Sequence, residues 1–161
     1  MALLMALSAL PATAAEDRPP PPMGTVLTGF ELFDPNHTLH RLADYTEPVI
    51  VLNFWAFWCD TWKAELPQLR ELSRRQQDLN FRLIAVSVDG QWSDNQRQVL
   101  RDQRLNFPVL LDGQKTLANQ LGLRRVPTVV ILNQDRRVTY VKEAYPGNPP
   151  VLRAIRKALS G

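Results

Sequence analysis

The stretch Val49 to Phe57, VIVLNFWAF, limits the fold more than any other part of the sequence. It is an almost unbroken run of β-branched, aliphatic and aromatic residues. A strand exposed to water on one face alternates apolar and polar residues; a run without alternation is buried on both faces. The chain must therefore build a mainly parallel sheet with cover on each side. Phe81 to Val88, FRLIAVSV, repeats the pattern, and Val109 to Leu111 and Thr128 to Leu132 are shorter runs of the same kind.

Between the first two strands the apolar period changes. Trp62, Leu66, Leu69 and Leu72 recur at helical spacing from Cys59 onward, and Pro67 predicts a kink about two turns in. A polar helix over Ser93 to Arg104, with Ser93 as its cap, and a short helix over Lys115 to Leu121, closed by Gly122, follow later strands. NQDRR joins Thr128–Leu132 to Val138–Lys142 as a hairpin. Pro150 to Leu159 reads as a last helix with Val151, Leu152, Ile155 and Leu159 on its buried face. Upstream, Thr25–Leu32 and Thr38–Leu42 flank the turn signal DPNH and read as an N-terminal hairpin. The order β-β, βαβα, ββα is that of an α/β fold with a mixed central sheet flanked by helices.

With 45% apolar and 22% charged residues in 161, the chain fits one globular domain, expected over 25–161. Nineteen basic and 16 acidic residues are spread evenly, with no Lys/Arg run to follow a phosphate backbone, so no nucleic-acid partner is expected. Residues 1–15, MALLMALSALPATAA, read as a signal peptide with the small-x-small cleavage pattern Ala12-Thr13-Ala14. The run is shorter than the roughly 20 apolar residues that span a bilayer, so no stable membrane span is expected. Residues 16–24, EDRPPPPMG, read as a proline-rich tether. These segments place the protein in the periplasm or outside the cell, with the monomer as the expected state.

The chain has a single cysteine, Cys59, where the first buried strand gives way to a helix. Unpaired N–H groups and the helix dipole favour a thiolate there, and the adjacent Asp60 opposes it. In an oxidising compartment such a thiol is free, metal-bound or paired with another molecule. His37 and His40, with no second cysteine, do not make a metal site; they read as exposed turn residues, and neither metal nor cofactor is expected. The Pro-x-x-x-Thr/Ser-x-x-Cys pattern of a peroxidatic thiol is absent.

VLNFWAFWCDTWKAELP, together with AVSVDG at 85–90, FPVLLD at 107–112 and GLRRVPTVVILNQDRRV at 122–138, resembles the extracytoplasmic thioredoxin-like proteins of the TlpA/ResA branch. The resemblance covers about residues 25–159 and implies a thioredoxin-like fold with an added N-terminal β-hairpin. It makes Cys59 the nucleophilic cysteine and Glu65 an acidic residue that handles protons near it. Pro127 matches a cis-proline facing the sulfur, and Val126 the residue whose backbone pairs with a bound chain. The departure is Trp62, which stands where the branch has its resolving cysteine. The implied activity is thiol-disulfide exchange by a monothiol that forms mixed disulfides with a thiol- or disulfide-bearing protein or a small thiol. The alternative is a catalytically silent module that binds an extended peptide.

Each side chain also has a plainer reading. Trp62 is either core or a border to the sulfur, where it widens an apolar groove with Trp55, Phe57 and Trp58. Of these, Trp58 is expected to be exposed and Trp55 buried. Glu65 is either a proton handler or a solvated helix carboxylate, six residues from Cys59 and so not directly beside it. Cys59 is either reactive or an inert buried thiol.

Overall fold

The computed structural model describes residues 23–161. The expected signal peptide and all but the last two residues of the tether lie outside that range. Seven strands form one sheet in the order β2-β1-β5-β4-β3-β6-β7. At its centre β3 (Val49–Trp55) runs parallel to β4 (Phe81–Ser87), and β4 runs parallel to β5 (Val109–Leu111). β6 (Thr128–Leu132) lies antiparallel to β3 and β7 (Val138–Glu143) antiparallel to β6. All seven residues of β3 are buried, as the unbroken apolar run requires.

The alternation of β3 divides the core. Ile50, Leu52, Phe54 and Ala56 face one side, where α4 (Thr116–Gln120) contributes Leu117 and Ala118. Val49, Val51 and Trp55 face the other, covered by α1 (Trp62–Ser73), α3 (Asp94–Asp102) and α5 (Asn148–Leu159). Full burial of one Val, Leu, Ile or Phe is worth about 1.5–3 kcal/mol, so the buried strands β3, β4 and β6 contribute heavily to stability. Ser93 caps α3 by accepting from Gln96 N, and Gln96 Oε1 accepts in return from Ser93 N. Among the described residues no helix is long and apolar enough to cross a membrane.

The N-terminal hairpin differs from expectation. The run read as one strand over 25–32 serves two places. Gly24 N donates to Val138 O, Val138 N to Thr25 O, and Leu27 N to Arg136 O, which ties residues 24–27 to the start of β7. The chain then crosses beneath the sheet, burying Leu27 and Phe30. It emerges as β1 (Glu31–Phe33), which pairs with β2 (Leu39–Arg41) and meets β5 only at Phe33–Leu111. Leu27 and Phe30 are buried while Val26 is exposed, and the local sequence carries no sign of the change of edge. The turn between β1 and β2 forms at DPNH, with Asp34 Oδ1 accepting from Asn36 N and Thr38 N.

Other corrections are local. α1 begins at Trp62, not Cys59, and runs through Pro67 as one helix. A further short helix, α2 (Gln76–Leu79), ends at Asn80 in the left-handed conformation. In α5 the buried residue of the last turn is Ala158, while Leu159 is exposed, because Val151, Ile155 and Ala158 form one i, i+4, i+7 stripe and Leu159 falls to its side. His40 is half-buried on β2: its Nδ1 lies 2.9 Å from the Tyr45 hydroxyl and its Nε2 3.4 Å from Asp34 Oδ2. His37 is exposed in the turn. No group of three or more potential metal-ligating side chains occurs among the described residues.

Candidate functional site

Cys59 sits in the turn between β3 and α1. Cys59 N donates to Ala56 O, and Trp62 N donates to Cys59 O, so the residue precedes the first helical turn. The thiol is partly exposed. Its Sγ lies 3.6 Å from Val126 O, to which the thiol donates, and 3.3 Å from the Thr61 hydroxyl. The Val126–Pro127 peptide bond is cis. The structure thus brings Cys59 and Val126 together across 67 residues of chain.

A buried polar network fixes the turn. Asp89 Oδ2 accepts from Phe57 N at 2.9 Å and from the Ser87 hydroxyl at 2.7 Å. Ser87 Oγ in turn accepts from Asp89 N and Trp92 Nε1. Sequence reasoning missed Asp89 and Trp92; an Asp just after a largely apolar strand was the available signal.

Trp62 is half-buried and packs against the core. Its ring packs 5.4 Å from Phe57 and 6.0 Å from Trp55, and both of these contact Trp92, at 5.0 and 5.8 Å. The four rings close over the sheet beneath the turn. Trp58 stands apart from this cluster and is 67% exposed, an apolar ring held in solvent beside the sulfur. The groove anticipated from all four of Trp55, Phe57, Trp58 and Trp62 is therefore two features: a packed cluster, buried at Trp55 and half-buried at Phe57 and Trp62, and one free ring.

Glu65 is 6% exposed, which overturns the solvated reading. It faces the sheet from α1 over Asn53, the one polar residue of β3. Burial pushes its carboxyl above the usual carboxylate range, and the neighbouring Thr61 and Asn53 side chains oppose that shift. Glu65 Oε2, both amide atoms of Asn53 and Trp55 Nε1 have no hydrogen-bond partner. The Tyr145 hydroxyl titrates higher than usual, chiefly through burial and secondarily through the charge on Glu65.

A raised carboxyl pKa carries a sign. The folded state then binds more protons than the unfolded chain between the ordinary and the raised value, so stability falls as pH rises through that window. Glu65→Gln is expected to remove this slope and to be more stable than the parent above the window. Thermal unfolding of both proteins from pH 4 to pH 8 checks it; parallel curves would show that Glu65 does not titrate differently on folding.

Comparison with known proteins places this geometry. The AhpC/TSA family matches over residues 23–141. The thiol-disulfide oxidoreductase ResA of Geobacillus thermodenitrificans is 30% identical over 116 residues, 72% of this chain and 66% of that protein. Sporulation thiol-disulfide oxidoreductase A of Bacillus subtilis is 28% identical over 96 residues, 57% of each chain. The chain thus spans about two thirds or less of the length of these relatives. Among solved structures, the exposed lipoprotein thioredoxin Etrx1 of Streptococcus pneumoniae superposes with a TM-score of 0.69 at 24% identity, covering 81% of this chain and 99% of that one. The sheet order, the strand-to-helix thiol and the extent of the match agree: this chain has a thioredoxin-like fold and belongs to the AhpC/TSA family.

Proposed function

We propose that this protein is an extracytoplasmic monothiol that carries out thiol-disulfide exchange through Cys59. The observation that carries the reading is the pairing of one partly exposed thiol with a half-buried tryptophan, packed against Trp55 and Phe57, at the position where a second thiol would resolve the product. The Cys59 thiolate attacks one sulfur of a substrate disulfide; a new S–S bond forms, the old one breaks, and the departing thiolate takes up a proton. The mixed disulfide persists until an external thiol, glutathione or a thiol of the client, attacks it and regenerates Cys59. Val126 and Pro127 offer a backbone edge for an extended chain, and Trp58 an apolar anchor of few rotatable bonds. Glu65 acts as the proton reservoir behind the sulfur. Residues 1–15 act as a signal peptide and 16–24 as a tether ahead of the domain. The similarity to an exposed lipoprotein thioredoxin supports an extracytoplasmic location.

The alternative, a silent peptide-binding module, draws on the same exposed Trp58 and on the Val126 carbonyl held against the thiol. One experiment separates the two. The full-length chain is expressed in a bacterial host, recovered from the periplasm, treated natively with oxidised glutathione and weighed intact. The expected mass lacks about the first 15 residues and carries one glutathione adduct that dithiothreitol removes and Cys59→Ser abolishes. A thiol modified only after denaturation sinks the monothiol reading and leaves the binding module. A full-length, unprocessed chain in the cytosol sinks the location.

A further inference from the structure

Leu123 and Thr128 are buried at the two ends of a short loop, and between them stand Arg124, Arg125, Val126 and Pro127. A guanidinium is costly to bury without a partner. With its ends fixed in the core, the loop turns both arginines outward, and both are exposed. The backbone between them and β6 is held at three points: the Thr128 hydroxyl donates to Arg125 O at 2.7 Å, Ala144 N donates to Pro127 O at 2.8 Å, and the Cys59 thiol donates to Val126 O at 3.6 Å. Consecutive Cα atoms are about 3.8 Å apart. Two permanent positive charges therefore leave the chain immediately before the residue whose carbonyl meets the sulfur. Neither arginine joins an ion pair among the described residues.

We propose that Arg124 and Arg125 make Cys59 selective for small thiols and disulfides that carry carboxylates. The inference rests on the monothiol reading, in which a thiol from outside must reach the sulfur. A carboxylate-bearing reagent is repelled by the thiolate it approaches and by Asp60 beside it. The arginines offset that repulsion. A guanidinium keeps its charge at every pH at which a thiolate forms, and it matches a carboxylate with two parallel N–H bonds. Its field acts over the screening length, about 8 Å at physiological salt, so the approaching molecule is drawn in before any bond is made. The Cys59 thiolate then attacks one sulfur of the anionic disulfide. The bond between the two halves breaks, one half stays on Cys59 as a mixed disulfide, and the other leaves as a thiolate that takes up a proton. Attack by a second such thiolate reverses the step, regenerating Cys59 and the small disulfide. A client chain lies along the backbone of Val126 and Pro127, which leaves the two arginine side chains to the smaller molecule.

The other charged groups at this end of the sheet do not cancel the pair. Asp89 is buried and its Oδ2 is occupied by the Phe57 amide and the Ser87 hydroxyl, and Glu65 is buried under α1. The exposed acids are Asp60 and Glu143, the latter opposite Thr128 on β7, and neither forms an ion pair among the described residues. Lys63 adds a third exposed cation, with its Nζ 5.7 Å from the centre of the Trp62 ring.

The test compares three small disulfides of different charge on the native full chain: oxidised glutathione, which is anionic, 2-hydroxyethyl disulfide, which is neutral, and cystamine, which is cationic. The rate of adduct formation on Cys59 is read by intact mass, and each rate is divided by that of the same protein unfolded in urea, which removes the intrinsic reactivity of the reagent. The normalised rate with oxidised glutathione is expected to exceed that with cystamine by about tenfold, and raising the salt from about 50 mM to about 500 mM should compress the ratio. Replacing both arginines, Arg124→Gln with Arg125→Gln, should lower the ratio of the glutathione rate to the neutral reagent's about fivefold. Arg124→Glu with Arg125→Glu should invert the order of glutathione and cystamine. A merely structural role would slow all three reagents alike. A parent ratio near one, or a ratio that the double Gln variant leaves unchanged, overturns the selectivity and leaves the monothiol intact. A disulfide-linked peptide with glutamates beside its cysteine, favoured over its glutamine counterpart by more than oxidised glutathione is favoured over the neutral reagent, assigns the arginines to the client and overturns the small-molecule assignment. A native thiol silent to all reagents, the neutral one included, overturns both readings. Both arginines are exposed, so the variants are expected to fold, and thermal melts check it.

Discussion

Trp62→Cys is expected to convert a protein with near-background activity in the dithiothreitol-coupled insulin turbidity assay into a disulfide reductase, a gain on the order of tenfold or more. Residues three apart at a helix start lie close enough for a disulfide to form. A thiol at position 62 can therefore attack the Cys59 mixed disulfide and release reduced substrate without an external thiol. The gain carries a structural cost. Trp62 contacts Phe57 and Trp55 within the four-ring cluster, and truncating it leaves a cavity beside them. Large-to-small changes of a tryptophan cost about 3–5 kcal/mol when fully buried, and this ring is only half-buried, so about 2–3 kcal/mol is expected. For a domain of this size that lowers Tm by roughly 5–10 °C. Activity of the unmodified protein equal to that of an ordinary dithiol thioredoxin would sink the monothiol mechanism.

Asp89→Ala has the second large expected effect, about 3 kcal/mol of stability, or roughly 6–12 °C in Tm. One carboxylate oxygen serves both the Phe57 amide and the Ser87 hydroxyl in the interior. Truncation leaves both donors without an acceptor, and each buried orphan costs about 1–3 kcal/mol. Asp89→Asn keeps one acceptor and should lose about half as much. Denaturant unfolding at neutral pH measures both. Because Phe57 opens the turn that carries Cys59, Asp89→Ala should also broaden the native alkylation kinetics. A loss below about 1 kcal/mol would show that the turn is held by the aromatic cluster alone.

Some of this architecture is legible residue by residue. The unbroken run at 49–57 dictates a strand with cover on both faces, and every residue of β3 is buried. Ser93 followed by Gln96 marks a helix start, and the reciprocal bonds are present. Trp55, inside the strand pattern, is core; Trp58, outside it, is exposed. The break in period after Phe57 puts the single cysteine between a strand and a helix. Thr25–Leu32 shows where such reading ends: Leu27, Phe30 and Leu32 are buried, Val26 is exposed, and the backbone serves two separate places in the sheet.

Glu65 shows the same limit for polar groups. Helical spacing places it one step beside the apolar stripe, where water or interior are both open to it, and the choice is made by Asn53 on a strand that the local sequence does not mention. Trp62 likewise reads as core or as a wall of the site until Trp55, Phe57 and Trp92 are brought around it. The sequence by itself determined the central strands, the longer helices, most of their apolar faces, and that one thiol stands alone, because these follow from periodicity and composition within a dozen residues. Only the tertiary structure decided the sulfur's partners. The contact to Val126 spans 67 residues and the bond from Phe57 to Asp89 spans 32. Even the nearby hydroxyl of Thr61 turns to the sulfur and not to the helix because the backbone at the turn has already taken helical angles. Hydrogen bonds are directional and short, so their pairing depends on coordinates that a pattern of apolar and polar residues does not carry.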